Sequence, residues 1–98
     1  MSKNIDLKFD AKSFNQVLLW GANPDAAPYD HSEIAHWCES FWNLYCDKDN
    51  PAEIEKLMPI LADVETQWVL WVISNKSASI PVAWFREWLN AVSELQVT

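Results

Sequence analysis

A single glycine, Gly21, serves a chain of 98 residues, and that scarcity narrows the possible folds more than any other feature. Tight two-residue hairpins draw on Asn-Gly, Asp-Gly or Gly-Gly, because their central residues need φ above zero. Loops that cradle phosphate use glycine for close backbone approach. With one glycine, the sequence argues against both. Helices joined by short polar connections fit such a chain better.

The apolar spacing agrees. Asp10 can cap a first helix from Ala11 to Trp20, with Phe14, Val17 and Leu18 on one face and Gly21 as the C-terminal stop. Pro24 and Pro28 make residues 21–31 a loop, since neither proline can donate a backbone hydrogen bond. Asp30 then caps a second helix that runs to about Cys46, and Glu33 completes a capping-box pattern. On this helix Ile34, Trp37, Cys38, Phe41, Trp42, Leu44 and Tyr45 share one arc, opposite Glu33, His36, Glu39, Ser40 and Asn43. Asn50-Pro51-Ala52-Glu53 is a helix start with a cap residue, proline at the first position and an early glutamate. Ile54, Leu57, Leu61, Val64, Trp68 and Trp71 follow at spacings of three and four, interrupted by Pro59. A kink, or two helices meeting near Met58, is expected there. Residues 68–73 are apolar all round, which fits a helix buried on every side or a strand. After a turn at 75–79, Ser79 can cap a last helix with Pro81 in its first turn. Val82, Phe85, Trp88, Leu89 and Val92 line its apolar arc, and Trp84 and Leu95 sit at the edge. Arg86, Glu87, Asn90 and Glu94 face away.

At the N-terminus, residues 4–9 alternate apolar and polar, placing Ile5, Leu7 and Phe9 on one face. The sum is an all-α fold: a small antiparallel bundle of four to five helices forming a single acidic helical domain over 1–98, with 1–9 as an extended arm. Its rival is an α+β domain with strands near 4–9 and 68–73. Seven tryptophans give such a domain ample core, since a large aromatic buries about 150–250 Å².

Charge bounds the partners. Fourteen acidic residues outweigh seven basic ones, for a net charge of −7, and Arg86 is the single arginine. Such a surface repels phosphate backbones and anionic lipid, which argues against direct nucleic-acid binding and membrane association. It suits a basic protein partner, although solubility alone also accounts for it. Cys38 and Cys46, eight apart on one helix, stand about 12 Å apart. A disulfide needs Cα atoms within about 7 Å, so both read as free thiols of a reducing compartment. No apolar leader follows the start of the chain, and the longest apolar run is far short of the roughly 20 residues of a membrane span. A cytoplasmic location is the expectation.

Chemistry-bearing residues form no constellation. His31 and His36 are five apart, not at the i, i+4 spacing of a helical zinc site. His36 lies on the polar face beside Glu33 and Glu39. Cys38 reads as a small buried hydrophobe, and Cys46, next to Asp47, lacks the positive surroundings of a nucleophile. Asp47, Asp49 and Asn50 loosely resemble a calcium loop, but the loop glycine is missing and Met58 stands where the closing glutamate belongs. No catalytic residue, cofactor or metal site is expected.

The tryptophans divide. Trp37, Trp68, Trp71 and Trp88 occupy arc centres and are expected in the core. Trp42 and Trp84 lie at arc edges, and Trp20 ends a helix beside the proline loop. These three, with Asp25, Tyr29 and Asp30 of that loop, are the candidate interface, because half-buried tryptophan is what a binding hot spot uses. The leading expectation is a non-enzymatic protein-interaction module with a Trp-rich, acid-rimmed surface. Its sharper form is an inhibitor or immunity-type protein that presents its acidity to a basic partner. The alternatives are a self-associating subunit, such as a homodimer, and a small-molecule binder or enzyme with an aromatic pocket near His31 or Tyr29.

Overall fold

A computed structural model of the chain describes residues 5–75 and 80–97. Those residues form an all-α domain with the helices α1 (Ala11–Ala22), α2 (His31–Tyr45), α3 (Ala52–Glu55), α4 (Met58–Asn75) and α5 (Val82–Val97). α1 packs along α5, and α2 packs along α4. α2 runs back along α1: Phe14 meets Trp37 and Phe41, while Gly21 meets His31 at the start of α2. α5 likewise runs back along α4, since Trp84 meets Trp71 and Trp88 meets Asp63. The antiparallel bundle expected from the short connections is what forms.

The local signals act as the residue types dictate. The Asp10 carboxylate accepts the Ser13 amide at 2.8 Å and starts α1. At α2 the capping box is complete, with the Glu33 amide donating to Asp30 Oδ1 at 2.9 Å and the Asp30 amide to Glu33 Oε1 at 3.0 Å. Pro59 splits the third apolar run into α3 and α4, as its missing N–H requires. It falls at the second position of α4, where no intrahelical partner exists to be lost. The Leu61 amide restores the ladder by donating to the Leu57 carbonyl at 2.9 Å.

Three local expectations are corrected. Gly21 does not stop α1: the helix runs to Ala22 and ends at Asn23, whose side-chain amide donates to the Leu19 carbonyl at 3.1 Å. Gly21 is there because a Cβ would overlap the fully buried Phe85 ring. Asn50 is not the cap of α3, which begins after Pro51 without a side-chain cap. Its amide instead donates to the Tyr45 carbonyl at 2.9 Å and to Glu55 at 3.0 Å, tying the end of α2 to α3. Residues 68–73 are helical, so they form no strand with 4–9, and they are not buried on every side. The expected Ser79 cap and residues 1–4 of the arm lie outside the described residues.

The core joins all the long helices. Phe14, Val17 and Leu18 of α1 meet Ile34, Cys38 and Phe41 of α2, Leu61 and Val64 of α4, and Phe85 and Val92 of α5. Over this core lies the arm, with Ile5, Leu7 and Phe9 half-buried and Asp6 and Lys8 exposed. Phe9 packs on Trp37 and Phe41 at ring separations of 5.4 and 5.2 Å, and the Trp37 indole N–H donates to the Leu7 carbonyl. Trp37 and Trp88 are buried as expected, whereas Trp68 and Trp71 are only half-buried against the core.

Both cysteines are free, Cys38 buried and Cys46 exposed. Burial, and secondarily the Glu65 carboxylate, push the Cys38 thiol well above its ordinary range. A thiol-specific reagent at pH 8 is therefore expected to titrate one cysteine in the native protein and two after denaturation. Rapid modification of both in the native state would contradict this packing.

Candidate functional site

The outer side of α4 is built from residues that point away from the bundle. Leu57, Leu61 and Val64 face the core, which leaves Val69, Leu70 and Ile73 on the opposite side. These three are 47 %, 53 % and 70 % exposed and fall within five positions. Apolar composition on all sides of 68–73 blurs this within the segment itself, and the signal that marks it is the upstream stripe of Leu57, Leu61 and Val64, which leaves Val69, Leu70 and Ile73 out of phase. Leu44, at the edge of the α2 arc, is also exposed.

A groove of about 360 Å³ lies beside this face, between α2 and α4. Trp42 walls it from α2, while Ala62, Thr66, Val69 and Leu70 form its α4 side, with Glu65 as its charged group. Across α4, Trp84 packs on Trp71 at 5.3 Å in a near-perpendicular arrangement. It shares a second depression, about 230 Å³, with Asp63, Gln67 and Glu87. Asp63 is anchored there by accepting the Trp88 indole N–H at 2.7 Å. Trp42 and Trp84 thus flank α4, Trp42 with the Glu65 carboxylate beside it and Trp84 with those of Asp63 and Glu87.

The other candidate residues go elsewhere. Trp20 packs on Tyr29 at 5.1 Å, at the corner between α1 and α2. Tyr29 and Asp30 line a shallow cavity of about 310 Å³ with Pro24 and Pro28. The Asp30 carboxylate is committed to capping: the Ser32 hydroxyl at 2.6 Å and the Glu33 amide hold it below the usual carboxylate range. Asp25 is exposed in the same loop. All three edge tryptophans are half-buried against the core.

His31, expected in the first turn of α2, is the one buried polar residue among the described residues. Its Nε2 lies 3.0 Å from the Gly21 carbonyl, and its Nδ1 accepts the Ile80 amide at 2.8 Å. Both ring nitrogens are therefore used by backbone, and the ring joins α1, α2 and the entry to α5. Nothing local announces such a role, since the partners lie 10 and 49 positions away.

Among the described residues, no group of three or more histidine, cysteine or carboxylate side chains is placed to hold a metal ion. No described helix is long and apolar enough to cross a membrane. Comparison with protein-family models, curated proteins and solved structures gives no match to this chain.

Proposed function

We propose that this domain is a non-enzymatic protein-interaction module whose docking surface is the outer face of α4 and the Trp42 groove. The observation that carries the proposal is the crowding of Val69, Leu70 and Ile73, exposed side by side on one helix. Isolated exposed leucines are ordinary, but a contiguous apolar patch rimmed by polar groups marks a contact surface. Glu65 stands in the groove, and Asp63 and Glu87 border α4 on the Trp84 side. With a net charge of −7 behind them, they favour a partner that presents apolar side chains flanked by lysine or arginine. An inhibitor or immunity-type role toward a basic protein is the sharper form. The same charge disfavours nucleic acid and opposes pairing of two copies. Two free thiols suit a reducing, cytoplasmic setting. Two of the groups best suited to chemistry are committed to the fold, which favours a non-catalytic role: Cys38 is sealed in the core, and both nitrogens of His31 are occupied.

The test uses side chains that the fold does not need. Trp42 and Trp84 also pack on the core, so their truncation would mix stability with binding. Leu70→Gln with Ile73→Gln changes only exposed positions and should shift stability by about 1 kcal/mol or less. Partner capture by the tagged parent should weaken from low to high salt, and the double variant should lose at least about tenfold in affinity, roughly 1.4 kcal/mol. Undiminished binding by the folded double variant would sink the proposal. A parent that captures nothing, but forms dimers the variant does not form, would assign the face to self-association instead.

A further inference from the structure

We infer that His31 is a proton-operated latch, which holds the start of α5 against the corner of α1 and α2 and releases it in mild acid. The geometry requires one protonation state. Nδ1 can accept the Ile80 N–H only while it carries no proton, which leaves Nε2–H to donate to the Gly21 carbonyl. A proton added at Nδ1 would set two N–H groups against each other at 2.8 Å, in a residue only 5 % exposed. The ring also packs on Phe85 at 4.6 Å, so the contacts it makes reach the first turn of α5 from two sides.

The surrounding charges do little to accommodate an imidazolium. The last turn of α1, Leu19 to Ala22, carries no titratable side chain and meets the ring through the Gly21 carbonyl. On α2, Asp30 precedes the ring, but its carboxylate is turned to the Ser32 hydroxyl and the Glu33 amide, and Glu33 in turn accepts the Asp30 amide. α5 presents the Phe85 ring, while its charged neighbours Arg86 and Glu87 are exposed. Burial holds the proton affinity of His31 down, against the opposing pulls of the Gly21 carbonyl and Asp30. The sign follows. A released ring in water titrates near pH 6.5, so opening takes up a proton wherever the pH lies below about 6.5 and the closed ring is still neutral. Closure is complete above that pH and weakens below it, by about tenfold in the opening equilibrium per pH unit.

Amide hydrogen exchange from pH 7.5 to 5, corrected for intrinsic rates, tests this in the full chain. Ile80 and the first turn of α5 should open progressively, while the Val64 amide in the middle of α4 keeps its protection. His31→Gln supplies the control, because a glutamine can accept through its oxygen and donate through its nitrogen without titrating. It should flatten the response at Ile80. A parent whose Ile80 exchange does not change, a glutamine variant with the parent's response, or equal acceleration at Val64 would each overturn the latch. Should His31→Gln fail to fold, the imidazole nitrogen signals of the parent decide. An unprotonated Nδ1 that gains its proton together with the Ile80 change supports the latch, and titration with Ile80 unmoved refutes it.

Discussion

Replacing Phe41 by alanine is expected to cost about 3–5 kcal/mol of stability. Phe41 has no exposed surface and touches four other aromatic rings: Phe9, Phe14, Trp37 and Tyr45. Its removal leaves a cavity between α1, α2 and the arm that the surrounding rings, held by their own contacts, cannot collapse to fill. Aromatic pairs add about 0.5–1.5 kcal/mol beyond area, which places this site high in the range. A domain of this size has only about 5–15 kcal/mol in total. A loss of this order should lower the melting temperature by roughly 15–30 °C, read by thermal circular dichroism. A shift of only a few degrees would mean that the arm and α2 repack around the gap.

Gly21→Ala should also destabilise, against the usual rule for helices. Inside a helix, alanine is favoured over glycine by about 0.5–1 kcal/mol. In α1 the added methyl overlaps the Phe85 ring, and that ring, fully buried, has nowhere to move. Overpacking of this kind costs about 1–3 kcal/mol. The clash wins, and a net loss of about 1–2 kcal/mol is expected in urea denaturation. Phe85→Leu narrows the intruding side chain, so the pair Gly21→Ala with Phe85→Leu should lose less than the sum of the two single variants. Strict additivity would show that the two residues do not share one site.

Much of the fold can be read from short-range chemistry, because its signals depend on neighbours within four positions. Asp10 at α1 and the Asp30–Glu33 box at α2 are of this kind, as is the interruption at Pro59. The apolar arc of α5 is another, with Phe85, Trp88 and Val92 buried as their spacing requires. What escapes depends on distant partners. Gly21 follows Phe14 by seven positions and Leu18 by three, so it lies on the buried stripe of α1, but its reason is a ring from another helix. His31 looks like any residue of a first turn until Ile80 arrives. The candidate site is legible in part. Trp42 is marked by its place at the edge of an arc, and it does wall a groove. Val69, Leu70 and Ile73 lie in a segment with no polar face to mark them, and only the phase of the stripe from Leu57 to Val64, carried forward, places them outside.

The pairing of α1 with α5 around the pairing of α2 with α4 is nested, and nesting governs how such a chain can assemble. In an up-and-down bundle each helix finds its main partner next door, and loop closure is short. In this domain the contact between His31 and Ile80 spans 49 positions, and the chain entropy lost in bringing such distant segments together is recovered only when both are in place. Contacts of that range slow folding relative to helical domains built on local ones. The stripe of Phe14, Val17 and Leu18 has no complete shelter until α5 is seated, so the first helix relies on the last for its burial.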